Sequence, residues 1–154
     1  NDKQQLHPML EQTEANRQAL ELKEKTGVAL ADAGYCSDEN FTKRPAGDVE
    51  LLVAVQKDYK QRTALAEQPP QDEPISDDLS PTELMERKLL TERGRELYKI
   101  RGRTVEPVFG QIKDARGFDR FMRRGFEACR SEWSLICATH NLLKLWRSSK
   151  ACWN

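Results

Sequence analysis

Two acids stand where their neighbours could put them to chemical use. Asp32 closes the apolar run Val28-Ala29-Leu30-Ala31, and Glu106 precedes a proline in Val105-Glu106-Pro107-Val108. Taken singly, each has an ordinary structural use, since an Asp after a strand forms turns or caps helices and a Glu at a helix start opposes the dipole. Around Glu106 lie Tyr98, Arg101 and Lys113, followed by Arg116, Arg120, Arg123 and Arg124 interleaved with Phe118 and Phe121. By default such arginines form a solvated face; with aromatics among them, contact to a polyanionic backbone is the competing reading. Cys137 and His140 are three apart on one helical face, but a four-ligand metal site needs two more partners from distant residues. Cys36, Cys129, Cys137 and Cys152 form no Cys-x2-Cys pair, so they are expected to pack in the core.

The charge distribution agrees with a divided molecule. The 154 residues carry 25 basic and 25 acidic side chains. Residues 1–80 hold 9 Lys and Arg against 16 Asp and Glu, and residues 81–154 hold 16 against 9. A zero total says nothing of local fields, and a basic half is the usual footprint of polyanion binding. Two oppositely charged subdomains packed together would give the same numbers. With a mean hydropathy of -0.78 and no apolar stretch near the roughly 20 residues that a bilayer requires, no membrane span is expected, and the default compartment is the cytoplasm. The chain opens on Asn1-Asp2-Lys3 without an initiator Met, which reads as a start inside a larger domain.

Several elements must position these residues. Leu6, Met9, Leu10, Ala15, Leu20 and Leu22 predict an amphipathic helix over 3–25, ended by Gly27. Val28–Ala31 reads as a buried strand, and Ser37 followed by Asp38 and Glu39 starts a short helix. A second buried strand is expected over 50–55, and the alternation of helices and strands makes the class α/β. From Gln56 to Asp78 six acids and three prolines leave no apolar period, which predicts a long surface loop. Ser80-Pro81-Thr82-Glu83 is a capping-box helix start, continued through Thr91. Pro107 fits a helix that begins near Thr104 or a kinked longer one, because the first helical N–H groups have no intrahelical acceptor. Lys113, seven residues beyond Glu106, then falls two turns on and on the same face. Phe126 to Trp146 is the clearest helix, and its apolar face predicts burial against a sheet, with His140 and Asn141 as buried polar residues. The expected organisation is a central part over 1–55, a polar insertion over 56–79, a helical part over 80–149 and a tail over 150–154.

The sequence resembles the DDE transposases of bacterial insertion sequences. The family's strand ending in Asp, a small residue, Gly and an aromatic corresponds to Asp32-Ala33-Gly34-Tyr35. Its signature of Tyr, Arg, Glu and Lys corresponds to Tyr98, Arg101, Glu106 and Lys113, although four residues separate Arg101 from Glu106 where the family has three. The runs from Gly117 to Phe121, Arg124-Gly125 and His140 to Leu145 are also similar. The resemblance implies a ribonuclease H-like fold, here incomplete: the first strands and the first catalytic Asp are expected to be absent. It implies catalytic and metal-binding roles for Asp32 and Glu106, and DNA contacts by Tyr98, Arg101, Lys113, Arg123 and Arg124. Carboxylates suit Mg²⁺, with Mn²⁺ as an alternative, and two ions roughly 3.5 to 4 Å apart stabilise the attacking and leaving oxygens of phosphodiester chemistry. The implied partners are DNA, as transposon ends and target, and further copies of the complete protein, in a cytoplasmic, nucleoid-associated bacterial setting. The other reading is a catalytically inactive DNA-binding or interaction remnant of a truncated transposase.

Overall fold

The computed structural model describes residues 2–71 and 78–150, which form two compact units divided between Gly102 and Arg103. The first unit is built on two parallel strands, β1 (Val28–Ala31) and β2 (Glu50–Val53), in the register Val28↔Glu50 to Ala31↔Val53. Because side chains alternate across a strand, this short sheet supplies two apolar faces. Ala31, Leu51 and Val53 pack with Leu6 of helix α1 (Leu6–Ala19) and Met85 of helix α4 (Pro81–Leu90). Leu52 and Ala54 on the other face pack with Leu89 of α4 and Tyr98 of helix α5 (Glu92–Thr104). Helix α4 thus touches both faces, lying along the β2 edge. There Val53 N donates to Met85 Sδ at 3.4 Å, which covers the outer edge of β2.

The helices depart from expectation where local chemistry overrides composition. Helix α1 follows a 3-10 turn at Asp2–Gln5 and stops at Ala19, not at Gly27. Glu21 adopts φ 53, Leu22 N donates to Arg17 O, and Glu21 N donates to Gln18 O. This is a Schellman closure made without glycine, so no residue type marked it. Arg17 reinforces the stop by donating to Leu22 O at 2.6 Å while Glu14 holds its guanidinium. The stretch expected as a loop contains helix α3 (Asp58–Glu67), with residues 72–77 outside the described set. Its fixing residue is polar: Gln61, almost fully buried, accepts from Val55 N and Gln56 N where β2 ends. Arg95 closes the other end, donating to Leu65 O, to Pro69 O at 2.8 Å and to Leu90 O at 3.0 Å. One guanidinium therefore satisfies carbonyls from the ends of both α3 and α4.

Ser80 and Glu83 form the expected capping box on α4. Thr91 then breaks the helix instead of continuing it, with ψ 156, and its hydroxyl accepts from Gly94 N at 3.0 Å to start α5. The turn is so tight that a Cβ on Gly94 would lie 2.0 Å from Lys88 O. Gly94→Ala is therefore expected to lower unfolding stability by about 2 kcal/mol or more, as overpacking against backbone does. A urea titration of the two chains measures it.

On α1, Arg17 first and Gln18 second hold the Glu14 carboxyl down from 4.5 to about 2. The folded pKa lies below the unfolded one, so this contribution is present above pH 4.5 and fades as pH falls toward 2. Arg17→Ala is expected to flatten the stability-versus-pH curve over that window, measured by urea midpoints at a series of pH values.

Candidate functional site

Asp32 sits at the carboxyl end of β1, the edge of a parallel sheet where ligands commonly bind. It is exposed, and it caps a 3-10 turn (Ala33–Tyr35), with Oδ1 accepting from Gly34 N at 2.9 Å. The ordinary turn-forming use of this Asp is therefore present whatever else the residue does. A Cβ on Gly34 would lie 2.9 Å from that same oxygen, so the glycine leaves room for the carboxylate to turn back on the chain. Asp2 reaches the same place, 3.5 Å from that Cβ position. Burial first, then the charges of Asp32 and Asp2, push the Tyr35 hydroxyl upward. The second carboxylate carried no signal in the sequence, because Asp2 lies in no strand.

Asn40 on helix α2 (Asp38–Thr42) fixes this turn. Its amide donates to Tyr35 O and to Lys3 O, each at 2.8 Å, while its own carbonyl lies 3.1 Å from His7 Nε2. Ser37 Oγ accepts from Asn40 N, as its N-cap position requires.

The second unit carries Glu106. After the single residue Val105, helix α6 (Glu106–Gly110) begins with Glu106 exposed at its first position and Pro107 next, where the missing N–H costs no helical bond. The chain then widens into a π-helical turn over Gln111–Ala115. With a fifth residue in the turn, Lys113 leaves the strict two-turn repeat expected of it, and its Nζ lies 5.9 Å from the Phe109 ring centroid. Arg101, in the first unit, is half-buried with its guanidinium 5.5 Å from the Tyr98 centroid. Tyr98 itself is 5% exposed in the core, so for its ring to meet DNA the helix would have to leave that core.

Arg123 and Arg124 are exposed on the loop before helix α7 (Phe126–Lys150). Glu132 of α7 shapes that loop by accepting from Met122 N at 2.9 Å and from Arg123 N at 3.1 Å. Gly117 and Gly125, both at positive φ, bound the segment. Arg116 ties its start to α7, donating to Thr139 Oγ1 at 2.7 Å and lying 5.1 Å over Phe118. Beside the loop, Trp133 stacks with Phe109 at 6.2 Å and meets Phe121 edge-on at 6.4 Å, around a cleft of about 420 Å³.

Three expectations for α7 and the cysteines are corrected. Ile136 and His140 are buried, but Leu135, Leu142, Leu145 and Trp146 are more than half exposed, and Asn141 is exposed. Apolar periodicity marks one side of a helix without supplying a surface to cover it. Cys36, Cys129 and Cys137 are half-buried and free, not fully enclosed, and Cys152 lies outside the described residues. Among the described residues, no three His, Cys, Asp or Glu side chains gather in a metal-binding group, and no helix is long and apolar enough to cross a membrane.

Residues 75–146, just under half of the chain, match the family model described as the transposase DDE domain. Glu106, Lys113, Arg123 and Arg124 lie inside the match; Asp32 lies outside it, so its assignment rests on the Asp-Ala-Gly-Tyr motif. No curated protein and no solved structure matches the chain.

The Glu132 clasp has a measurable consequence. Glu132→Ala is expected to speed amide hydrogen exchange at Met122 and Arg123 about tenfold, corresponding to about 1.4 kcal/mol of lost local protection. Unchanged exchange would remove Glu132 as the organiser of the basic loop.

Proposed function

We propose that the chain is the part of a DDE transposase that carries the second and third metal-binding acids, Asp32 and Glu106, on elements of a ribonuclease H-like core. The observation that carries this reading is Glu106 at the start of α6 within the transposase DDE domain match, followed by Lys113 and the basic loop. The first acid would come from a segment outside residues 1–154. Both carboxylates are exposed hard-oxygen donors, which fits Mg²⁺ or Mn²⁺ and would not suit a thiolate-seeking metal. When bound, such ions would polarise the scissile phosphodiester and stabilise its leaving oxygen.

The remaining work belongs to the chain. Asp32 is held at a strand end by Gly34 N, so that one oxygen is oriented by the backbone before any ligand arrives. In the second unit Lys113, Arg123 and Arg124 present exposed cations to a phosphate backbone, and in the first unit Arg101, half-buried on α5, is a further DNA contact. Tyr98 contributes by seating α5 in the core. The substrate is DNA of an insertion sequence and its target, acted on by an assembly of more than one copy.

In the complete transposase, Asp32→Ala and Glu106→Ala should each abolish Mg²⁺-dependent cleavage while leaving DNA binding in place. Cleavage retained by either variant would remove that residue from the metal site. Binding without cleavage by the unmutated complete protein would leave the DNA-binding remnant as the better reading. In the 154-residue chain, DNA affinity should fall steeply with salt. Combining Arg123→Ala with Arg124→Ala should reduce the log–log slope by about 2, one for each lost phosphate contact.

A further inference from the structure

The cleft beside the basic loop combines features that contact to a DNA backbone alone does not require. Four aromatic rings stand on it, Phe109, Phe118, Phe121 and Trp133, and each is at least 36% exposed. Aromatic side chains of a folded unit normally turn inward, because burying them is the larger part of their contribution. Here three of them interlock with one another, through the Phe109–Trp133 stack and the Phe121–Trp133 edge contact, and still leave an open volume of about 420 Å³.

The same walls carry Lys113 and Arg120, with exposed Arg123 and Arg124 on the loop beyond. An aromatic platform edged by cations is the pattern that binds single-stranded nucleic acid: ring faces stack on bases while cations follow the phosphates. An apolar protein segment would use the rings and leave the cations without counterparts. Asp119, also on the wall, supplies a carboxylate acceptor for the exocyclic amino group of a base such as cytosine.

We propose that this cleft takes an unpaired nucleobase of the DNA strand that follows the basic loop, stacked on the Trp133 ring with its edge toward Phe121, and with Lys113 and Arg120 on its flanking phosphates. The inference rests on the DNA-binding reading above and adds to it a preference for strands with free bases. The cleft is shaped before DNA arrives, since Glu132 and Arg116 fix the loop and its first aromatic to α7.

The test uses the 154-residue chain and two labelled dodecamers of equal charge, oligodeoxycytidine and its abasic analogue, with binding read by fluorescence anisotropy. Oligodeoxycytidine is expected to bind about tenfold more tightly, within the range that a stacked base supplies. Trp133→Ala should erase the difference, and Trp133→Phe, which keeps a ring, should retain most of it. Equal affinities for the two dodecamers, with salt-dependent binding intact, would overturn the base site and leave the DNA-binding reading standing. Absence of binding to either dodecamer and to duplex DNA would overturn both. Loss of self-association in Trp133→Ala with the tenfold difference intact would assign the cleft to a second copy of the chain and overturn the proposal.

Discussion

The first unit depends on the parallel pairing of two four-residue strands. Parallel strands cannot be joined by a tight turn, so the chain must cross from the end of β1 to the start of β2 on one side of the sheet. Residues 32–49 make that crossing, and they contain Asp32, its turn and α2. Pairing at Ala31↔Val53, continued by Ala54 N donating to Ala31 O, fixes the backbone immediately before Asp32. A slip of one residue would reverse which side chains face α1 and which face α5, and the two apolar clusters would both be lost. The acid is therefore positioned by the burial of its neighbours.

The second unit solves a related problem with fewer buried residues. Among its described residues, Ile112, Ile136 and His140 are buried, while ring contacts and charged hydrogen bonds hold the loop to α7. A surface organised in this way keeps cations and aromatic faces exposed, which a conventional apolar interior would consume. The π-helical turn serves the same end, setting Lys113 over Phe109. Such turns are uncommon and concentrate at functional sites.

Much of this was legible in the sequence, and the exceptions have identifiable causes. Both strands, the Ser37 cap and the Ser80–Glu83 box follow from local apolar runs and short-range hydrogen bonding, and each appears where its residues indicate, with β2 two residues shorter than expected. Glu106 stands in a spaced signature in the sequence, and its position falls within the family match. Helix α3 was not legible, because Gln61 and Arg95 anchor it through polar bonds to distant segments instead of an apolar stripe. The α1 stop escaped notice because a Glu, not a Gly, takes the left-handed position. The exposed face of α7 shows the converse limit: periodicity predicts a helix with an apolar side, but not whether a surface is present to cover it. The aromatic cleft needed coordinates, since Phe109 and Trp133 are too far apart in sequence for spacing to reveal their stack.

Under the function proposed above, Asp32 and Glu106 serve one metal centre in the complete, DNA-bound transposase. Iron-directed backbone cleavage tests it directly: Fe²⁺ replaces Mg²⁺, ascorbate and peroxide generate radicals at the bound ion, and the cut sites are mapped. The account predicts paired cuts beside Asp32 and beside Glu106, both suppressed by excess Mg²⁺. Cuts at only one of these positions, or at neither, would contradict it.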